Sequence, residues 1–112
     1  MHIVLFEESR KDIQISISAQ IDTNGNFTLK GMDAGNLVKQ MKGDWNYEYN
    51  IGIKKRDKEI LIKELALENP DIKSDADFMH WLKLKYSHNE AYSGFAKLLQ
   101  EMKIGHEVFI WP

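Results

Sequence analysis

Cysteine is missing from this sequence of 112 residues. The chain therefore has no disulfide bond, no thiolate nucleophile and no cysteine ligand for zinc. The absence favours a reducing compartment, and we expect a cytoplasmic location. Positive charge is not in excess either, since 15 lysines and arginines stand against 17 aspartates and glutamates. We therefore expect no nucleic-acid partner, because binding to the phosphate backbone needs a basic surface.

Long apolar runs are also missing. No stretch reaches the roughly 18 consecutive apolar residues of a membrane-spanning helix, and we expect no membrane partner. Residues Met1 to Phe6 lack a basic lead and run directly into Glu7, so no signal peptide is predicted. The apolar fraction of 43% is that of an ordinary globular protein. The length predicts a single α+β domain over residues 1–112.

Recognisable catalytic and metal-binding motifs are absent from the sequence. The four histidines form neither a His-x-His pair nor a pair spaced four residues apart, whereas zinc needs three or four converging ligands. No glycine-rich loop matches a phosphate-binding fingerprint, and Ser93 lies inside a helical pattern rather than at a nucleophile elbow. We expect no cofactor, and these absences favour a non-enzymatic role.

The clearest structural signal that is present is an alternation from Trp45 to Ile53. Its apolar positions are Trp45, Tyr47, Tyr49, Ile51 and Ile53, and they alternate with Asn46, Glu48, Asn50 and Gly52. A period of two predicts a β-strand with one buried face and one face in water. We expect later helices to pack on the odd-numbered face, and we expect Glu48 to lie on the wet face.

Further strands are predicted on both sides of this one. Residues 13–21 alternate in the same way, and a third strand follows around Phe27 and Leu29. The continuous apolar run from Ile3 to Phe6 predicts a strand that is covered on both faces and lies inside the sheet. A last short strand is predicted over Val108 to Trp111.

The turn between the second and third strands can be predicted in detail. A two-residue Asn24-Gly25 loop would pair apolar with polar side chains, which the buried face disfavours. A three-residue loop instead pairs Ile21 with Phe27 and brings the apolar side chains together. We therefore expect a type I turn with Gly25 in the left-handed conformation and a bulge beside it.

Helices are predicted in the second half of the chain. The first begins at an N-cap, Asp57, and ends before Pro70; the second begins at Ser74, and the third ends at Gly105. The segment from Leu37 to Met41 is too short to assign to helix or strand. Strands followed by helices indicate an α+β fold, an antiparallel sheet of four to five strands packed on one face by two to three helices.

Three carboxylates and one tryptophan are the candidate functional residues. Asp33 and Asp44 stand beside glycines in turns that flank the central strand, and Glu48 lies on the wet face of that strand. Carboxylates there could contact basic groups of a protein partner. Trp111 is either an anchor of the last strand or an exposed partner contact.

Two alternatives remain open for the same residues. If Asp33, Asp44 and Glu48 converge in a pocket, they could serve a small carboxylate- or cation-dependent hydrolase. If the last strand lies at the edge of the sheet, it could join two copies into a structural homodimer with Trp111 at the contact.

The segment from Gly43 to Tyr49, a Gly-Asp turn that runs into a Tyr-Glu-Tyr strand, also carries a resemblance. Together with the Asp-x-Gly turn at Asp33, a leucine-rich helix and the ending from Ile104 to Phe109, it resembles a family of small uncharacterised bacterial proteins. Some members of that family are suspected immunity or antitoxin-like partners of toxins. The resemblance implies a protein that blocks a toxin, and it supplies no catalytic residues.

Overall fold

A computed structural model of the chain describes residues 1–43 and 46–111, and it contains five strands and four helices. In chain order these are β1 (His2–Arg10), β2 (Ile13–Ile21), β3 (Phe27–Ala34), α1 (Asn36–Lys42), β4 (Asn46–Ile53), α2 (Lys55–Glu68), α3 (Asp75–Lys85), α4 (Ala91–Glu101) and β5 (Glu107–Trp111). The strands form one antiparallel sheet in the order β1-β2-β3-β4-β5. The α+β prediction is confirmed, and the unassigned segment from Leu37 to Met41 is helical.

The turn between β2 and β3 has the predicted form. Ile21 pairs with Phe27, and Gly25 has a φ of 84°, which only glycine adopts without strain. The carboxylate of Asp22 accepts a hydrogen bond from the backbone N–H of Asn26 at 3.0 Å, which fixes the loop. The register of the sheet is therefore set by this turn together with the apolar pattern of the two strands.

The start of α2 differs from its prediction. The N-cap is Lys54 rather than Asp57, and the Lys54 side chain makes no capping hydrogen bond. Instead, the Oδ1 of Asn26, in the β2–β3 turn, accepts a hydrogen bond from the backbone N–H of Lys55 at 3.0 Å. A residue distant in sequence thus satisfies one of the free N–H groups at the helix start.

The core lies between the sheet and helices α2, α3 and α4. We call the side of β4 that carries Ile51 and Ile53 the helix-side face, and these two residues are buried against the helices. Phe27 of β3 sits at the centre, with its ring 5.4 Å from that of Phe78 and 5.5 Å from that of Phe95. The predicted packing of helices on the odd-numbered face is confirmed for these residues, while Trp45 lies outside the described residues.

The opposite side of the sheet, which we call the open face, carries Glu48 and Asn50. Its other residues on β2 and β3 are mostly polar: Gln14, Ser16, Ser18, Gln20, Thr28, Lys30, Met32 and Ala34. An antiparallel sheet with one face on the core and one in water has this division. In the described part of the chain, no helix is both long and apolar enough to cross a membrane.

The position of β1 contradicts its prediction, because β1 is an edge strand that, among the described residues, pairs with β2 alone. Val4 pairs with Ser18 and Phe6 pairs with Ile17, so Leu5 is an extra residue in a β-bulge. The bulge lets consecutive apolar residues turn towards the core: Leu5 is only 2% exposed, and Phe6 packs against the same cluster. The apolar run therefore reflects the bulge and not a strand neighbour on each side.

Candidate functional site

Asp33 is a half-buried residue within β3, on the helix-side face, and not the turn residue predicted from the sequence. Its Oδ1 accepts a hydrogen bond from the hydroxyl of Tyr49 at 2.9 Å. Burial, and then this hydrogen bond to a carboxylate, raise the pKa of Tyr49 well above its usual value. The Tyr49 ring in turn covers Gly31, where an added Cβ would lie 1.8 Å from a ring carbon. Asp33 therefore orients Tyr49, and its carboxylate is already hydrogen-bonded within the chain.

Glu48 lies on the open face, as predicted, but it has a partner there. Its Oε1 is 2.7 Å from the ammonium of Lys30 on the neighbouring strand. Both side chains are partly exposed, and such a pair stabilises a fold by about 0–1 kcal/mol. A basic group of a binding partner could therefore compete with Lys30 for this carboxylate at little energetic cost.

The structure does not bring Asp33 and Glu48 together. Asp33 pairs with Tyr47 and Glu48 pairs with Met32, and cross-strand partners share a face while successive residues alternate. The two carboxylates therefore leave the sheet on opposite sides. Asp44 lies outside the described residues. Among the residues that are described, no group of three or more histidines and carboxylates could hold a metal ion.

The backbone of Trp111 pairs with that of Glu48 at the end of β5, while the Trp111 side chain lies outside the described part. The residues before it are more informative. Val108, Phe109 and Ile110 are 51%, 44% and 55% exposed, although all three are large and apolar. Within the described residues, β5 pairs with β4 alone, so its outer backbone edge faces solvent.

The apolar side chains of β5 project on both faces of the sheet. Phe109 pairs with Asn50 and therefore lies on the open face, whereas Val108 and Ile110 pair with Ile51 and Tyr49 on the helix-side face. Trp111 is the one residue of β5 for which the sequence predicts a partner contact. The signal for the rest of the surface was the uninterrupted apolar run after Glu107, in which no charged residue blunts the strand.

A group of tyrosines extends this surface on the helix-side face. The ring of Tyr49 is 5.9 Å from that of Tyr47 and meets Tyr92 edge-on at 4.7 Å. The Tyr92 hydroxyl donates to the backbone carbonyl of Asn50 at 3.3 Å, and burial raises the pKa of Tyr92. Because Tyr49 is the cross-strand partner of Ile110, partly exposed aromatic surface adjoins the edge strand.

A cleft of about 350 Å³ opens at one end of the sheet, beside the start of β3, the end of β4 and the start of β5. Its polar lining includes Asn26, Lys54, Asp57, His106 and Glu107. Two of these groups already serve the fold, since Asn26 caps α2 and the His106 Nδ1 lies 2.7 Å from the carbonyl of Ile104. His106 and Asp57 are far apart in sequence, and only the fold brings them to the same cleft.

Comparison of the chain with protein-family models, with curated proteins and with solved structures finds no match. The surface that most clearly calls for an explanation is the outer edge of β5, with Val108, Phe109 and Ile110.

Proposed function

We propose that the protein is a non-enzymatic protein-binding domain and that its binding surface is the β5 edge. The observation that carries the proposal is the exposure of Val108, Phe109 and Ile110 on a strand whose outer backbone groups face solvent. A free strand edge with apolar side chains is a template for pairing with another chain. Proteins normally blunt such an edge with charges, proline or a bulge, and β5 carries none of these between Val108 and Ile110.

The form of the surface favours a protein over a small molecule. A small ligand is usually held in a concave pocket, whereas an edge strand offers a straight row of N–H and C=O groups. Addition of a strand from a partner uses those groups for affinity and the side chains on each face for specificity. Phe109 on the open face and Ile110 on the helix-side face would each contact such a strand.

The placement of the carboxylates supports a role without catalysis. A carboxylate pair that does acid–base work has to converge on one substrate. Asp33 is hydrogen-bonded to Tyr49, Glu48 is paired with Lys30, and the two lie on opposite faces of the sheet. The hydrolase alternative receives no support from these contacts.

The biological setting that we propose is that of an immunity or antitoxin-like protein in the bacterial cytoplasm, with a toxin as a partner. Its support is the resemblance of the segment from Gly43 to Tyr49. Glu48 supplies a carboxylate on the open face for basic groups of a toxin, and its pair with Lys30 is readily exchanged. Co-expression with the product of the adjacent gene tests this setting. A neighbouring product that is neither toxic nor bound would contradict it.

Binding at the β5 edge is tested by sedimentation velocity on the purified chain, alone and mixed with the product of the adjacent gene. We expect the chain to associate either with itself or with the product of the adjacent gene. We expect Phe109→Lys to abolish that association. Leu84→Lys is the matched control, because Leu84 on α3 is 74% exposed and lies on a helix rather than a strand edge. Absence of any association, or an association that Phe109→Lys leaves unchanged, would refute the proposed binding surface.

A further inference from the structure

We infer that the partner at the β5 edge is a second copy of this chain, paired with β5 antiparallel about a twofold axis. The two sheets would then form one continuous sheet through both copies. This inference rests on the proposed function and names the occupant of the same surface.

The symmetry of an antiparallel pair restricts the register. In an antiparallel pair of strands related by a twofold axis, each residue and its symmetry mate lie on the same face of the sheet. The axis therefore passes midway between one residue and its own symmetry mate, so that this residue faces itself across the pair. An axis at Phe109 is the register in which every residue from Glu107 to Trp111 has a backbone partner. Phe109 then faces Phe109 of the second copy, and Val108 faces Ile110 of the second copy.

The side chains suit this register on both faces. On the helix-side face, Val108 and Ile110 of each copy form one aliphatic row of four side chains that continues to Tyr49. On the open face, the two Phe109 rings become direct cross-strand neighbours. Aromatic and β-branched residues in direct opposition are the cross-strand pairs that stabilise sheets. The three apolar side chains that are half exposed in a single copy are covered together in the pair.

The charges fit an antiparallel arrangement and oppose a parallel one. Glu107 is the one charged residue of β5. With the axis at Phe109, the two Glu107 carboxylates lie at opposite ends of the paired strands, whereas parallel pairing would set them side by side. The net charge of the chain is only −2, so long-range repulsion between two copies is small.

The other edge of the sheet favours a closed pair over an open chain of copies. Repeated β5-to-β1 contacts would be head-to-tail and would build a filament or a ring of copies rather than a twofold pair. The bulge at Leu5 interrupts the regular backbone hydrogen bonding of β1. The ammonium of Lys83 also donates a hydrogen bond to the carbonyl of Val4 at 2.7 Å, so this carbonyl is already paired. With β1 blocked in this way, β5 is left to pair with β5.

Single-cysteine cross-linking tests both the dimer and its register, and the absence of cysteine from the chain leaves no background. In Phe109→Cys the two sulfurs face each other across the axis at Cα separations of about 4.5–5.5 Å, which a disulfide spans. In Val108→Cys the equivalent Cα atoms are offset by two residues, roughly 8 Å apart, which a disulfide does not span. Mixing Val108→Cys with Ile110→Cys restores a facing pair.

We expect efficient oxidation to a covalent dimer for Phe109→Cys and for the mixture of Val108→Cys with Ile110→Cys. We expect little for Val108→Cys alone. Leu67→Cys on α2 is the control, because Leu67 is 79% exposed and distant from β5 in sequence. Far-UV circular dichroism verifies that each variant is folded. Sedimentation equilibrium on the unsubstituted chain should show a monomer–dimer equilibrium.

Two results would overturn the inference. One is a chain that stays monomeric at the highest concentration at which it remains in solution. The other is equal cross-linking in Phe109→Cys, Val108→Cys and Leu67→Cys. A monomeric chain that still binds the adjacent gene product through Phe109 would refute the dimer and leave the proposed function standing. A chain that associates with neither would refute both.

Discussion

The two edges of the sheet, β1 and β5, carry similar apolar runs and use them in opposite ways. On β1 the bulge turns Leu5 into the core, where it is 2% exposed, and Phe6 packs beside it. On β5 the side chain of Ile110 is 55% exposed, although it lies on the same face as the core. The helical layer contacts β1 through α3, and it leaves the outer part of β5 uncovered.

This difference shows that the apolar side chains of an edge strand can be removed from water in two ways. One is to bend the strand so that its side chains enter the core and its backbone edge becomes irregular. The other is to leave the edge regular and to cover it with another chain. The β1 edge follows the first solution, with Lys83 as an additional block at Val4. Our proposal is that β5 follows the second.

The largest expected effect is a difference in the free energy of unfolding between a substitution on β1 and one on β5. Leu5→Ala should lower the free energy of unfolding by about 2–5 kcal/mol, because it leaves a cavity in the core. Ile110→Ala should change it by no more than about 0.5 kcal/mol when measured in dilute solution, since the side chain is half exposed there. Urea unfolding followed by tryptophan fluorescence measures both values. Similar losses in the two variants would erase the proposed distinction between the edges.

The next effect concerns association and uses charge on the symmetry axis. Phe109→Lys places two ammonium groups opposite each other in the pair and removes two facing rings. We expect the dimer dissociation constant to rise at least tenfold, which corresponds to about 1.4 kcal/mol. An equimolar mixture of Phe109→Lys with Phe109→Glu should associate again, because the facing charges are then opposite.

Analytical ultracentrifugation of the two single variants and of their mixture gives the comparison. Each single variant serves as the control for the mixture. If the mixture is as weakly associated as its components, Phe109 does not face its own symmetry mate.

A smaller effect is expected at the blocked edge. Lys83→Met removes a charge-assisted hydrogen bond to the carbonyl of Val4 and should lower the free energy of unfolding by about 1 kcal/mol. Lys97→Met is the matched control on α4, because its pair with Glu101, at 3.9 Å, is exposed and weak. The dimer should not grow further in Lys83→Met, since the bulge at Leu5 remains. Species larger than a dimer in that variant would mean that Lys83, and not the bulge, protects β1.

The smallest effect is a pH dependence on the β5 side of the sheet. Burial and the hydrogen bond to Asp33 raise the pKa of Tyr49, so the unfolded chain loses this proton at a lower pH than the folded chain. The associated stability is fully present below the unfolded pKa of about 10 and is lost as the pH rises towards the folded value. The free energy of unfolding should therefore fall above pH ~10.

Tyr49→Phe should make that fall shallower, as should Asp33→Asn, which removes the carboxylate facing the hydroxyl. Urea unfolding at a series of alkaline pH values measures the slope. An unchanged slope in both variants would show that other groups cause the alkaline loss of stability.

Much of the fold could be predicted because strands with one wet face have a visible period. The alternation around Ile51 and the pairing of Ile21 with Phe27 follow from the burial of one face. The edge position of β1 could not be predicted in this way. A bulge places consecutive apolar residues on one side, and in sequence this looks the same as a strand covered on both sides.

The candidate site was harder to predict than the fold. The face of Glu48 follows from the alternation, and the structure confirms that face. The hydrogen bond between Asp33 and Tyr49 depends on the position of the Tyr49 ring, which lies over Gly31 of the adjacent strand. The exposure of Ile110 depends on how far the helices reach across the sheet, which no local pattern encodes.

The route of the chain into β5 has a further consequence for the lifetime of the protein. Between Ile53 at the end of β4 and Glu107 at the start of β5, the chain forms all of α2, α3 and α4. We expect local opening of this helical layer to release β5 from the sheet as well. A partner on β5 binds only the closed form and so suppresses local opening of the layer, by mass action. In an unpaired copy the helical layer would open more often, and proteases would digest it sooner. Pairing at the five residues of β5 would therefore govern the turnover of helices α2 to α4.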